Sequence, residues 1–263
     1  MIRSRRILLV AGVLALATLG AMACWQHARS ALWRIVDGQC VPAAQAGRAS
    51  ACVEVSPAQG AEAGFAVLKD RRGAWQYLLI PTRRVSGIED PALLEPAAAA
   101  YLPDAWRARR WMDAANRAPV PREDVALALN SSWSRSQDQL HVHISCVRAD
   151  LRARLQALDV GLGERWIELP GGWQGHPYIV RRLAGDALAD ADLLREVGRL
   201  HPGDMGRQAL AVVGSRHEGR PAFWLLETHV DLASRWLGGI EGDVQDHDCA
   251  VLKGAAPASG GMR

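Results

Sequence analysis

Strict alternation of polar and apolar residues over positions 139–146 (QLHVHISC) most constrains the fold of this chain. In a β-strand, successive side chains point to opposite faces of the sheet. The polar face would carry Gln139, His141, His143 and Ser145, and the apolar face Leu140, Val142, Ile144 and Cys146. The pattern therefore predicts a strand that buries its apolar face in the core and turns both histidines towards a cleft or solvent.

The remaining segments predict an α+β fold with an antiparallel sheet. FAVLKD and QYLLIPT are typical of two strands joined by a turn at Gly73, and QALAVVGSR and AFWLLETHV of two strands joined around Gly219. Helices are predicted over 97–116, where Pro103 marks a break or a fresh start, in RADLRARLQAL and over about 186–200. Strands with hairpin-like neighbours, mixed with helices, favour the α+β class.

The N-terminal residues predict a membrane anchor. Three arginines within the first six residues precede an uncharged apolar run over 7–25, and about 20 apolar residues are enough to span a bilayer. The positive flank predicts a cytoplasmic N-terminus and an exported remainder. Two alternatives stay open, namely cleavage after AMA (21–23) and lipidation of Cys24.

These patterns give a domain plan. It comprises a cytoplasmic N-terminus over 1–6, a single transmembrane anchor over 7–25, a periplasmic domain over 26–252 and a disordered low-complexity tail over 253–263. The expected location is the cell inner membrane, with the domain facing the periplasm.

The other four cysteines predict disulfide bonds, because an even number in an oxidising compartment is typical of bridged domains. Cys40 and Cys52 are close in sequence and flank a short loop, which favours a local bridge. Cys146 would then pair with Cys249. Buried free thiols are the alternative.

The charge of the chain gives no indication of a nucleic-acid partner. The formal net charge is +3 and the arginines are scattered, whereas nucleic-acid binding requires a clustered basic face. No nucleic-acid partner is therefore expected.

Three interpretations fit the histidine pair. A zinc site would need further ligands, and the other histidines (His176, His201, His217, His229 and His247) show no ligand spacing. A polar face with structural histidines is the second interpretation. The third is nucleophilic catalysis at phosphorus by a neutral imidazole. Asn130, Ser136 and Gln137 favour the third, because they place small hydrogen-bonding groups, suited to phosphate oxygens, next to the strand.

The wider pattern resembles known enzymes. His-x-His-x-His on a strand, after a serine- or threonine-containing loop and an Asn-ended strand, is typical of histidine-triad (HIT) nucleotide hydrolases and transferases, and here Gln139 stands at the first position. FAVLKD, QYLLIPT, ALN, HVHISC, LPGG, GHPY with RR, and QDHDC follow the N-terminal run in order. Together they resemble the bacterial CDP-diacylglycerol pyrophosphatase family over nearly the whole chain.

This resemblance implies a HIT-like antiparallel sheet with flanking helices. It also implies that His141 is a nucleophile that attacks the α-phosphorus of the CDP group, with a covalent CMP–histidine intermediate that water hydrolyses. His143 would contact the phosphoryl oxygens or transfer a proton. Gln139 would keep a hydrogen-bonding role, and its backbone carbonyl would still orient His141.

The resemblance further implies roles for substrate-binding residues and for the partner. Asn130 and Ser136 match positions that hold phosphate oxygens, while His176 lies in a matched segment and lines the site or is structural. Lys69 meets the pyrophosphate or is a solvated surface group. The expected substrate is CDP-diacylglycerol in a membrane, and the histidine mechanism requires no cofactor or metal. CMP transfer to an acceptor other than water and a non-catalytic CDP-lipid-binding protein are the alternatives.

Overall fold

A computed structural model describes residues 24–57, 64–186 and 192–253, together with positions 20, 22 and 188. The chain forms one antiparallel sheet with flanking helices, so the α+β part of the predicted fold agrees with the structure. The strands are β1 Cys52–Ser56, β2 Phe65–Lys69, β3 Tyr77–Pro81, β4 Val125–Leu129, β5 Val142–Val147, β6 Ile167–Glu168, β7 Ile179–Ala184, β8 Gln208–His217, β9 Arg220–His229 and β10 Gln245–Asp246.

Short helices connect these strands. The α-helices are α1 Ala31–Ile35, α2 Val41–Gln45, α3 Tyr101–Ala108, α4 Arg110–Asn116, α5 Ala149–Leu158, α6 Leu193–Leu200, α7 Ile240–Val244 and α8 Ala250–Lys253. A π-helical segment, Val36–Cys40, joins α1 to α2. Single 3₁₀ turns occupy Pro91–Leu94, Pro96–Ala100, Arg122–Asp124, Asp159–Gly161 and Met205–Arg207.

The sheet has the strand order β1-β2-β3-β5-β4-β8-β9-β7-β6, and every neighbouring pair is antiparallel. Strand β5 lies between β3 and β4, and β10 pairs with its last two residues. The histidine-bearing strand is therefore hydrogen-bonded to neighbours on both sides, which fixes the direction of each of its side chains.

The two faces of the sheet pack against two different cores. Leu140, Val142 and Ile144 belong to the larger core, which α3 and α6 cover. Ala126 and Ala128 of β4 belong to a smaller core on the other face, with residues of α5 and α7. The alternation of β5 was read correctly, but its polar face is also buried rather than open to solvent, because the smaller core and α7 lie over it.

The structure requires a correction at the N-terminus. Among the residues that it describes, no helix is both long enough and apolar enough to cross a membrane. The predicted transmembrane anchor, and the single-pass inner-membrane location that depended on it, are therefore withdrawn. Residues 7–19, 21 and 23 of that segment lie outside the described residues, as does the tail from 254 onwards.

Both predicted disulfide bonds are present. Cys40 is bonded to Cys52, and Cys146 is bonded to Cys249. The first bridge joins the end of the π-helical segment to β1, and the second joins β5 to the residue just before α8. Cys24 is a free, exposed thiol.

Two predicted helices differ in detail from the observed ones. The helix expected over 97–116 is interrupted at Arg109 and not at Pro103. Pro103 lies in the first turn of α3, where the missing N–H of proline has no intrahelical acceptor to lose. The helix expected from about residue 186 begins at Leu193, where the carboxylate of Asp192 accepts a hydrogen bond from the backbone N–H of Arg195 and caps it.

Candidate active site

His141 and His143 lie on one face of the sheet at the start of β5. The two residues are 7% and 6% exposed, respectively, and their rings meet edge to face with 4.8 Å between centroids. His143 is directly opposite Ala128 of β4, and Asn130 comes directly after the end of that strand. The two strands therefore place both imidazoles and the Asn130 amide close together.

The tautomer of His141 is fixed by the backbone. Its Nδ1 lies 2.7 Å from the carbonyl oxygen of Gln139. A carbonyl oxygen can only accept, so Nδ1 carries the proton and Nε2 carries the lone pair. Burial lowers the pKa of His141 below its usual value, although the Gln139 carbonyl opposes the shift. His141 is accordingly a neutral imidazole with Nε2 available as a nucleophile.

His143 has the opposite tautomer. The side-chain amide nitrogen of Gln76 lies 3.1 Å from Nδ1 of His143, and an amide nitrogen donates, so this Nδ1 accepts. The proton is then on Nε2, which lies 3.1 Å from Oε2 of Glu241 but is not oriented to bond with it. Burial lowers the pKa of His143 to about 3, although the nearby Glu241 carboxylate opposes the shift. His143 is therefore a neutral N–H donor.

Glu241 is the carboxylate on which the polar groups of this site converge. Oε2 accepts a hydrogen bond from the Asn130 amide at 3.1 Å, and Oε1 accepts one from the Gln76 amide at 3.2 Å. Nε2 of His247 lies 3.3 Å from Oε1. The backbone N–H of Glu241 donates to the Asn130 side-chain oxygen at 3.0 Å, so Asn130 is held at both ends. Burial opposes ionisation, but the hydrogen bonds from His247 and Asn130 and the adjacent His143 outweigh it and lower the pKa of Glu241 to about 2.

Glu241 and Gln76 were missed in the sequence. Glu241 lies on α7, which has only five residues and shows no usable periodicity. The only signal was its position four residues before the matched segment QDHDC, which contributes His247. Gln76 immediately precedes β3, and its only signal was its place as the first residue of the matched segment QYLLIPT.

An arginine also faces the His141 side of the site. Arg135 lines a small cavity together with Gly87, Asn130 and His141. Its guanidinium is 2.5 Å from Glu89 and 3.2 Å from Asp138, so two carboxylates hold it in place. A guanidinium fixed in a cavity that His141 also lines is suited to binding a phosphoryl oxygen.

The side chain of Gln139 supports a loop and does not contact the histidine rings. Its amide nitrogen donates to the carbonyl oxygens of Pro81 and Arg83, at 3.1 and 2.8 Å. The Gln139 residue is fully buried. It therefore affects the site in two ways: its backbone carbonyl orients His141, and its side chain fixes the segment after β3.

Three of the substrate-binding residues expected from the sequence are engaged elsewhere. Ser136 is exposed, and its carbonyl accepts from the Gln137 side chain. The Gln137 side chain also bonds to the backbone of the N-terminal helix, at Leu32 and Ala28. The ammonium of Lys69 donates to the carbonyls of Asp70 and Gly73, at 2.7 Å each, and so closes the turn between β2 and β3.

His176 is part of a wall beside α7. Its Nδ1 lies 2.8 Å from Asp243 of that helix, and its ring stacks on Trp236 with 3.7 Å between centroids. The hydroxyl of Tyr178 donates to the same Asp243 oxygen at 2.9 Å. His176 therefore fixes the outer side of α7, whereas Glu241 of the same helix serves the histidine pair.

The described part of the chain has no group of three or more His, Cys, Asp or Glu side chains arranged to hold a metal ion. The arrangement can instead provide a neutral imidazole nucleophile, N–H donors from His143 and Asn130, and a fixed guanidinium. These are the groups that phosphoryl transfer through a histidine would need.

Known proteins resemble this chain over most of its length. A family model for CDP-diacylglycerol pyrophosphatase matches residues 27–253. A curated relative from Yersinia pestis, named CDP-diacylglycerol pyrophosphatase, is 40% identical over 229 residues, which are 84% of this chain and 84% of the relative. The family match includes every residue described in this site.

Proposed function

The chain belongs to the CDP-diacylglycerol pyrophosphatase family and is an enzyme of phospholipid metabolism with that activity, and we propose that it works through a CMP–histidine intermediate on His141. CDP-diacylglycerol is cleaved to CMP and phosphatidate. The observation that carries the proposal is the contact of Nδ1 of His141 with the Gln139 carbonyl, because it leaves Nε2 as the free lone pair.

In the first step, Nε2 of His141 attacks the α-phosphorus. The N–P bond forms while the bond from that phosphorus to the bridging oxygen breaks, and the electron pair leaves with phosphatidate. The imidazole keeps its Nδ1 proton and becomes positively charged. The Gln139 carbonyl oxygen, 2.7 Å from Nδ1, stabilises that charge.

In the second step, water attacks the same phosphorus and the N–P bond breaks. His141 returns to the neutral imidazole, CMP leaves, and a proton is released to solvent. Because burial lowers the pKa of His141, neutral imidazole is a good form to regenerate at neutral pH.

His143, Asn130 and Arg135 have the role of stabilising charge on the phosphoryl oxygens. The first two offer N–H groups: Glu241 accepts a hydrogen bond from the Asn130 amide, and Nε2 of His143 lies 3.1 Å from the same carboxylate. Arg135 shares a small cavity with His141. Positioned donors and cations are the main contribution that proteins make to phosphoryl transfer. Histidine-triad ancestry, inferred from the spacing over 139–143, belongs to the same proposal.

The decisive experiment is an alkali-quenched single turnover with CDP-diacylglycerol in detergent and excess EDTA, because the N–P bond of a nucleotidyl-histidine survives alkali and is hydrolysed by acid. We expect a peptide containing His141 to carry the mass of one CMP group early in the reaction. His141→Asn should abolish both the adduct and CMP release. CMP release by wild type with no adduct at any time point would contradict the covalent step, and loss of CMP release in EDTA, with recovery on adding metal, would contradict the metal-free mechanism.

A competing acceptor distinguishes hydrolysis from transfer. Glycerol added to the same reaction should leave CMP as the main product if water is the normal acceptor. Accumulation of glycerol-linked CMP at the expense of CMP would instead favour a CMP transferase.

A further inference from the structure

A second cavity lies away from the histidine pair. It has a volume of about 390 Å³, which is within the range of small-molecule sites. Its wall combines apolar and polar side chains: Leu169, Pro177, Ile179, His201, Gln208 and Glu227. One lining residue, Tyr178, also bonds to Asp243 of α7 beside the candidate active site, whereas the histidine pair and Glu241 do not line this cavity.

The sheet register places Glu227 on the face opposite to that of the histidine pair. His143 is directly opposite Ala128, which is opposite Ala211, which is opposite Leu226. Directly opposed residues project to the same face, so Glu227, the next residue of β9, projects to the other one. Three strand spacings of about 4.8 Å separate β5 from β9. Glu227 is therefore separated from the histidine pair both by the sheet and along it.

Glu227 is the unusual residue of this cavity. It is 2% exposed, and neither of its carboxyl oxygens has a hydrogen-bond partner among the described residues. Nε2 of His201 lies 2.5 Å from Oε1, but it is not oriented to bond with it. A buried carboxyl group without partners costs on the order of 1–3 kcal/mol or more, so the fold keeps it at a cost to stability.

The charged and titratable groups near Glu227 lie on several elements. On α6, Glu196 is paired with Arg181 of β7 at 2.6 Å, and this pair leaves no net charge. The remaining titratable groups of the lining are Glu168, Tyr178, His201 and His229. Burial, followed by the charge of Glu196, raises the pKa of Glu227 to about 7, and burial lowers the pKa of His201. With His201 neutral, the carboxylates of the cavity wall form no ion pair with a cation of the same wall.

We propose that the cavity lined by Glu227 and His201 binds a small organic cation, an ammonium group on an apolar body. Both Glu227 oxygens are buried, so the carboxyl group turns towards the cavity when the ammonium binds, and the ammonium then supplies hydrogen bonds that the oxygens lack. Leu169, Pro177 and Ile179 contact the apolar body. The site lies apart from the residues that cleave the CDP group.

Benzylammonium and benzyl alcohol are suitable probes, because they share a body and differ in charge. Titration calorimetry at pH 8 on the full chain should show at least about tenfold tighter binding of benzylammonium. Glu227→Gln, which keeps the shape of the side chain, should abolish that preference while CDP-diacylglycerol hydrolysis continues at the wild-type rate. Glu168→Gln, which alters a carboxyl group at the exposed edge of the cavity, serves as the matched control and should retain most of the preference.

Lowering the pH from 8 to 6 should weaken benzylammonium binding to wild type, because Glu227 takes up a proton through this interval, and should not change benzyl alcohol binding. Equal affinity for the two probes, absence of binding by both, or a charge preference that persists in Glu227→Gln would each overturn the proposal.

Discussion

Nδ1 of His141 donates to the carbonyl oxygen of Gln139, two residues earlier in the chain, across 2.7 Å. The contact uses the backbone of Gln139 and not its side chain. It explains how the first position of a His-x-His-x-His pattern can be glutamine without loss of the orientation of the central histidine. The Gln139 side chain has a different role, which can be tested separately.

Gln139→Ala should reduce stability more than catalysis. The substitution leaves the buried carbonyl groups of Pro81 and Arg83 without the donor that bonds them now, at a cost of about 1–3 kcal/mol. The backbone carbonyl that orients His141 is unchanged. Denaturant unfolding should show the loss, and kcat at a temperature where the variant is folded should stay within about tenfold of wild type. A loss of kcat by about a thousandfold in a folded variant would assign the side chain itself to the chemistry.

Glu241→Gln should lower kcat by about a hundredfold or more, since it weakens the alignment of His143, Asn130 and His247 together. Steady-state hydrolysis of CDP-diacylglycerol measures the effect. Asp243→Asn is the matched control on α7, because Asp243 holds His176 and Tyr178 instead. It should lower the melting temperature and leave kcat within about tenfold. Equal kcat losses in the two variants would mean that α7 acts only as a structural support.

The histidine pair should make the protein less stable in acid. The folded pKa of His143 is about 3, below the value of about 6.5 for an unfolded chain, so the unfolded state binds more protons. The contribution of neutral His143 to the free energy of unfolding is complete above pH 6.5 and is lost as the pH falls towards 3. At pH 5 the loss is about 2 kcal/mol from this group. Urea unfolding between pH 7 and 5 measures how the free energy of unfolding changes with pH. This change should be smaller in His143→Gln than in wild type. His27→Gln, which removes an exposed histidine, should show the same change as wild type.

Activity should respond to pH differently from stability. The lowered pKa of His141 keeps its imidazole neutral below pH 6.5, so kcat/KM should remain near its neutral-pH value at pH 6. The initial rate of CMP release, measured while the enzyme stays folded, checks this. A fall in kcat/KM that follows an ordinary histidine pKa would contradict a buried neutral nucleophile.

The parts of this molecule that repeat a local pattern were predictable from sequence. The alternation over 139–146 gave the faces of β5, and the short spacing of Cys40 and Cys52 gave their bridge. Glu241 was not predictable, because α7 has five residues and contacts β5 only through the tertiary fold. The contacts of Ser136 and Lys69 were not predictable either. The Ser136 carbonyl accepts from the Gln137 side chain, and the Lys69 ammonium donates to the Gly73 carbonyl. The sequence singles out neither of these contacts.

Removing the Cys146–Cys249 bridge should impair both stability and catalysis. The bridge closes a loop with a sequence separation of 103 residues, against 12 for Cys40–Cys52. Loop-closure entropy gives about 4.7 kcal/mol for a loop of that larger size and about 3 kcal/mol for a short one. The longer bridge also ties β5 to the segment that carries His247. The Cys146→Ala/Cys249→Ala variant should therefore unfold at lower denaturant and lose kcat even where it is folded.

The Cys40→Ala/Cys52→Ala variant is the matched control. Its bridge joins the π-helical segment to β1, an edge strand that contributes no side chain to the site. It should lose stability and keep kcat. If the two variants lose kcat equally at matched fractions of folded protein, the bridge at Cys146 stabilises the fold without positioning His247, because both losses would then come from the fold as a whole.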